Sequence, residues 1–432
     1  MKQLHWAAIV AISIMIGMNI SCKRELYDQE AYQNYIDSVS PVDTIDPSHT
    51  WILTNSKTLL VQAPDTGGTQ IVKILTANPR ESGDAQVVGE AWSSEGERFA
   101  MALTYPSTIS TLYAAVVDTT GRYSIVKFTP DSESSIYFDN LIVDHEKISY
   151  EPQPLLYTYG FEENYPAAGD FDYNDVVLRI SQSRSGEREM RVVVQLAAVG
   201  ATKQIAGAIR LVGIKYNNVE SVTTVDSLSF NTTNGNDFPD QMKTVMTKEK
   251  TEFYESFVSN SKTGEAVLNL FGDAHWATGD LLEENFGMMN RKKYNVSTSV
   301  NDDYAQFVPR TITYIVTLKS SEGLNEFSME KMDPFIIEQY NGGNFEVHQY
   351  IYRNAQILFP YATSKIKSLP WALCMPMGDF RWPLEGVNIG FIKNERFLYG
   401  AYQTRTHSFG EWSMDRNKAI DWYLYPTENQ VF

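Results

Sequence analysis

Short runs of alternating apolar and polar positions begin just after Trp51 and recur through most of the chain. The first set is Thr58–Gln62, Gln70–Leu75, Phe99–Thr104, Thr111–Val117 and Tyr123–Phe128. Alternation sends successive side chains to opposite faces, the pattern of a half-buried strand. Clusters such as Pro64-Asp65-Thr66-Gly67-Gly68 and Asp118-Thr119-Thr120-Gly121 separate the runs. They supply turn residues: glycine for positive φ, proline for a preset φ, and Asx side chains that bond their own backbone. Residues 50–132 are therefore predicted to form a small sandwich, immunoglobulin-like in size.

The same texture continues over residues 133–432. Strands are predicted at Ser135–Phe138, Leu156–Gly160, Val176–Ser181, Met190–Ala197, Gln204–Ile214 and Thr311–Leu318. Gly200-Ala201-Thr202 reads as a turn inside a hairpin, and Asn217–Lys250 as a long polar excursion. Helical periodicity is confined to Leu281–Lys292 and Asp415–Trp422. Many strands and little helix predict a mainly β protein, with a larger jelly-roll-like β-sandwich after the small one.

The chain before Trp51 has another character. Lys2 precedes an apolar run from Trp6 to Met18, too short to span a bilayer comfortably, and Ser21 stands directly before Cys22. A small residue before cysteine resembles the lipobox of lipoprotein signal peptides, although Asn19 replaces the usual leucine. Residues 1–21 are thus expected to be a signal peptide, Cys22 the lipidated residue, and 22–49 a tether. Buried acyl methylenes would hold such a chain on a membrane, and the charged Lys23-Arg24-Glu25 resembles export signals to the outer face. Secretion with cleavage elsewhere is the alternative. Cys374 is the second of two cysteines, so a lipidated Cys22 leaves it without a disulfide partner. It reads as a buried apolar residue.

Composition narrows the partners. A net charge of −17 argues against nucleic acid or an anionic membrane surface, both of which need a basic face. The 25 Tyr and 21 Phe support the β assignment.

The candidate chemistry is concentrated between Phe161 and Ile180. Asp170, Asp172 and Asn174 alternate with Phe171 and Tyr173, and Asp175 leads into Val176–Ile180. Alternation lets the oxygens converge on one side while the aromatics enter a core. Carboxylates and amides are the oxygen ligands of hard cations such as Ca2+, and Glu162 or Glu163 can fold back to add another. The spacing matches positions 1, 3 and 5 of an EF-hand loop, but Asp175 stands where that loop has glycine. Ser181 stands where it has its bidentate glutamate, so this is not an EF-hand. The competing reading is an Asx-rich turn whose carboxylates bond their own amides. A structural Ca2+ site built from Asp170, Asp172, Asn174, Asp175 and Glu162 is the expectation adopted.

Phe161-Glu162-Glu163 followed by Gly169-Asp170-Phe171-Asp172-Tyr173-Asn174-Asp175 resembles the opening of the LruC domain. Later blocks follow in order: Asp333-Pro334-Phe335-Ile336-Ile337, Glu346-Val347-His348, Pro370-Trp371-Ala372-Leu373, Trp382-Pro383-Leu384-Glu385, and Phe409-Gly410-Glu411-Trp412 before Asp421-Trp422-Tyr423. Gln349-Tyr350-Ile351 departs from the Leu-Pro-Gly-like turn usual there. The resemblance, from about Ile136 onward, implies a bacterial envelope lipoprotein of Bacteroides type at the outer membrane. It implies no established activity.

Enzyme fingerprints are absent: the chain holds no G-x-S-x-G, H-E-x-x-H, P-loop or dinucleotide motif. Asp273 and His275 are too weak a pair to name a nucleophile's partners. Glu346 and His348 share a face if that segment is extended, as contacts of an ion or as a surface pair. Trp382 and Trp412 belong to an aromatic-rich C-terminal stretch that reads as a staple for chain ends or as a sugar-stacking platform. The expectation is a lipid-anchored binding or adhesion module on the outer face of the outer membrane, with a surface glycan or a protein as its partner and an envelope glycoside hydrolase as the alternative.

Overall fold

Seven strands form the N-terminal part: β1 (Thr54–Gln62), β2 (Gln70–Leu75), β3 (Val87–Ser93), β4 (Arg98–Pro106), β5 (Leu112–Val117), β6 (Tyr123–Phe128) and β7 (Ser135–Tyr137). A computed structural model of the protein describes residues 30–31, 34, 42, 44–64, 68–93, 96, 98–118, 120–138, 148–163, 169–200, 203, 205–225, 264–272, 274–278, 296–297, 299, 310–340, 343–349, 369–390 and 406–432. One sheet has the order β4-β1-β7 and the other β3-β2-β5-β6. The β1–β4 pairing is antiparallel and the β1–β7 pairing parallel. Alternate residues point inward, as the sequence pattern requires: Leu59 and Val61 of β1, Val72 and Ile74 of β2, Met101 and Leu103 of β4 are fully buried in one cluster. Each such side chain contributes about 1.5–3 kcal/mol relative to exposure.

Among the described residues ten further strands follow: β8 (Tyr157–Phe161), β9 (Val176–Gly186), β10 (Glu189–Ala198), β11 (Ala206–Lys215), β12 (Val219–Thr224), β13 (Glu265–Phe271), β14 (Arg310–Leu318), β15 (Met332–Tyr340), β16 (Gly343–His348) and β17 (Ala372–Met375). A six-stranded sheet has the order β12-β14-β10-β9-β8-β17, and a four-stranded sheet the order β13-β11-β15-β16, all neighbours antiparallel. Met190, Val192, Val194 and Leu196 of β10 share a cluster with Ile209 and Leu211 of β11, so one apolar core joins the two sheets. The protein is mainly β, as predicted. Helix among the described residues is short: α1 (Ala274–Thr278), α2 (Phe409–Met414), a few 3-10 turns, and residues 30, 31 and 34. None of the described helices is long and apolar enough to cross a membrane.

Several local expectations are corrected. The strands flanking Gly200 do not pair with each other, so the expected hairpin is a crossover from the six-stranded sheet to the four-stranded one. Val219–Thr224, inside the expected polar excursion, is an edge strand on β14. Its β-branched residues suit a sheet that is wet on one side. Helix α2 lies before the predicted Asp415–Trp422. Ser408 Oγ accepts the Glu411 amide at 3.1 Å, and the Glu411 carboxylate accepts the His407 amide at 3.0 Å. This is close to a capping box, and Ser408-Phe409-Gly410-Glu411 carries its Ser-x-x-Glu signature in the sequence. The helix predicted at Leu281–Lys292 lies outside the described residues.

One apolar cluster runs through both sandwiches. Polar contacts reinforce the junction: Ala102 N donates to Asn325 O at 2.9 Å, and Thr104 Oγ1 to Ser328 Oγ at 2.9 Å. Val42 and His49, at the far end of the expected tether, are buried. His49 and Trp51 stack at 3.9 Å between ring centroids, and Trp51 meets Trp412 edge-on at 5.4 Å.

Candidate metal centre

Strand β8 ends at Phe161, opposite Ala372 of β17, and Glu162 N continues the ladder to Trp371 O at 3.0 Å. The chain returns at Gly169, turns through Asp170–Asp175 and enters β9, which pairs back on β8. Glu162 is thereby brought against the acidic turn, as the sequence reading anticipated.

The turn itself is not extended. Phe171 and Tyr173 have φ of 59° and 53°, a left-handed conformation costly for an aromatic residue. Both rings are buried, and the Tyr173 hydroxyl donates to Pro370 O at 2.9 Å. The twisted backbone aims two amides at one carboxylate: Tyr173 N donates to Glu162 Oε1 at 2.7 Å, and Phe171 N to Glu162 Oε2 at 3.4 Å. Gly160 makes room for the fold, since a Cβ there would stand 2.4 Å from Tyr173 O.

Ligand atoms of Glu162, Asp170 and Asp172 all lie within 4.8 Å of one another. Oxygens facing each other across Ca2+ bound at about 2.3–2.6 Å are separated by about 5 Å, so the spacing fits. Glu162 and Asp172 are 2% and 1% exposed; Asp170 is half-buried. The other two expected ligands make hydrogen bonds of their own. Asp175 Oδ2 accepts Glu163 N at 2.7 Å. Asn174 donates Nδ2 to Pro383 O at 3.0 Å, while its buried Oδ1 has no hydrogen-bond partner.

The electrostatics are one-sided. Burial raises the Glu162 carboxyl well above its usual range, and the Asp175 and Asp170 charges add to the effect. Burial does the same to Asp172, reinforced by Glu162, Asp170 and Glu385, and to Asp175, reinforced by Asp172, Glu163 and Asp170. Asp170 is raised by burial, and Glu163 by burial that Lys203 partly offsets. Glu385 is pushed up to about 7, by burial first and then by Asp170 and Glu163. At about 5 Å and an effective dielectric of about 20, two ionised carboxylates repel by about 3 kcal/mol. Three such pairs rival a domain's whole stability of about 5–15 kcal/mol. Protons or a cation must neutralise the cluster.

Sequence reasoning missed part of this surround. Glu385 and Gly386 come from a distant loop: Gly386, 214 residues beyond Asp172 in the chain, donates its amide to Asp172 Oδ2 at 2.9 Å. Lys203 ion-pairs with Glu163 and Glu338, each at 3.5 Å.

The remaining candidates fall in other places. Glu346 and His348 are on β16 in a separate network: His348 Nδ1 meets Asp333 Oδ1 and Nε2 meets Glu346 Oε2, both at 2.8 Å. Arg210 also binds Asp333, at 2.6 Å. Both ring nitrogens are engaged, which leaves His348 no lone pair for an ion. Trp412 is buried against Trp51, Phe409 and Trp422, the staple arrangement. Trp382 is half-buried with the Arg179 guanidinium 5.3 Å above its ring. Burial pushes the Cys374 thiol up to about 12, so it is no nucleophile at neutral pH. His275 is buried on α1; Asp273 and Cys22 lie outside the described residues.

The chain is thus a mainly β protein of packed sandwiches, with a buried acidic cluster where one strand of the larger sheet begins. The chain matches the family described as a domain of unknown function, DUF4842, over residues 188–413, more than half its length, and belongs to that family. The matched stretch contains Lys203, Glu346, His348 and Glu385 but begins after the acidic turn. No curated protein and no solved structure matches the chain.

Proposed function

We propose that the cluster of Glu162, Asp170 and Asp172 holds a structural Ca2+ in an exported, lipid-anchored envelope protein of LruC type. The observation that carries this reading is the convergence of three carboxylates within 4.8 Å in a largely buried site. An all-oxygen set selects a hard cation over zinc or copper. Irregular ligands from a strained turn suit the tolerant coordination of Ca2+ better than the octahedron of Mg2+. Deep burial of Glu162 and Asp172 also favours an ion over a sugar ring, and so a binding protein over a glycoside hydrolase. The ion's work is to hold the turn before β9, so that the loops around it are preorganised to bind a surface glycan or protein.

Titrating CaCl2 into chelator-treated protein tests the site: saturable heat is expected, and none up to millimolar Ca2+ would refute it. Labelled palmitate tests the anchor: it should enter the wild-type protein in cells and not Cys22→Ala.

A further inference from the structure

The loop at residues 383–390 closes over the acidic turn by contacts that no local pattern announces. Gly386, at φ 69°, donates its amide to Asp172 Oδ2 at 2.9 Å, and Ile389 N donates to Phe171 O at 2.8 Å. Asn174 Nδ2 reaches the same loop at Pro383 O. Between loop and turn, two buried oxygens have no hydrogen-bond partner: Asn174 Oδ1, on a residue with no exposed surface, and Glu385 Oε2. Both point at the bare backbone of Gly200. A Cβ on that glycine would stand 2.2 Å from the first and 3.0 Å from the second. Orphaned acceptors in a buried place cost about 1–3 kcal/mol each unless something electropositive joins them. Here both lie against Gly200, whose lack of a Cβ leaves them room.

We infer that Glu385, with Asn174, supplies oxygens to the bound cation from across the chain, making the ion a clasp between the acidic turn and the 383–390 loop. The inference rests on the calcium reading above and extends it. The clasp reaches further, because the loop carries the last described residues. Leu384 N donates to Gln430 O at 3.0 Å, Phe432 N to Trp382 O at 2.9 Å, and Pro383 pairs with Val431. Calcium would therefore order residues 428–432 as well as the turn.

Hydrogen exchange and calorimetry on the full chain test this with CaCl2 as the probe. In the wild type, Ca2+ should slow exchange at Leu384, Gly386, Ile389 and Phe432 as well as at Phe171 and Tyr173. Glu385→Gln keeps the side chain's shape and should weaken Ca2+ binding at least about tenfold. It should also lose the calcium-dependent protection of the loop while keeping that of the turn. A Glu385 that merely carries a proton predicts the opposite, because glutamine mimics that form and affinity would not change. Unchanged affinity in Glu385→Gln, or wild-type protection confined to the turn, overturns the clasp and leaves the calcium site standing. Absence of Ca2+ binding to the wild type overturns both. The wild-type exchange comparison needs no variant, so a poorly folding mutant does not spare the inference.

Discussion

Glu162 and Tyr173 are joined by a 2.7 Å hydrogen bond from the tyrosine amide, and Tyr173 sits at φ 53°. The contact ties a buried charge to backbone strain. An aromatic residue holds a left-handed conformation only where its surroundings compensate the cost of about 1–3 kcal/mol. Here the compensation is the carboxylate that gathers the amides of both strained residues, Phe171 and Tyr173.

Replacing Glu162 by alanine should therefore do more than delete one ion ligand. It strands two buried donors, at about 1–3 kcal/mol each, and releases the turn. A loss of about 2–4 kcal/mol in urea unfolding, together with loss of Ca2+ binding, is expected. A variant as stable as the wild type would show that the carboxylate does not support the turn.

Gly160→Ala should be among the most damaging small substitutions, because its Cβ would meet the Tyr173 carbonyl at 2.4 Å and backbone cannot swing aside. Overpacking of this kind costs about 1–3 kcal/mol or more. Gly68→Ala, with nothing within 4 Å of its Cβ, is the control and should be near neutral. Thermal melts of the pair check the difference.

His49 predicts acid sensitivity at the junction between the two ends of the chain. Its Nδ1 accepts the Trp51 amide at 3.0 Å, so Nε2 carries the proton and donates to Trp412 O at 3.0 Å. Burial lowers its pKa to about 4, with the Trp412 carbonyl and Asp46 only partly opposing. A folded value below the unfolded one of about 6.5 means stability is full above pH 6.5 and falls as pH drops toward 4. The loss over that window should be about 3 kcal/mol. His49→Phe should flatten that acid limb while starting from lower stability at neutral pH. Urea midpoints measured between pH 4 and 8 decide it.

How far these features can be read from sequence depends on how local their causes are. Strand periodicity is local, and it places β2, β6 and β10 to within a residue at each end and finds the start of β9, though not its last five residues. The acidic turn was legible for the same reason, and so was Glu162, since a strand leading out and a strand leading in bring it back. The geometry of the turn was not. Alternation suggests an extended backbone, whereas the same sorting of oxygens and rings arises from positive φ at Phe171 and Tyr173. Gly200 illustrates a harder limit, since a glycine between two strands reads as a hairpin turn. Its actual role, crossing between sheets while leaving space beside Asn174, depends on residues far away. Glu385 is the extreme case, a lone acid whose meaning comes from a loop folding over Asp172.

Diffraction from crystals grown with calcium would show the ion itself. Anomalous difference density is expected between Glu162, Asp170 and Asp172, with carboxylate oxygens about 2.3–2.6 Å from the peak. Carboxylates hydrogen-bonded to one another through shared protons, with no density among them at millimolar Ca2+, would contradict the calcium site.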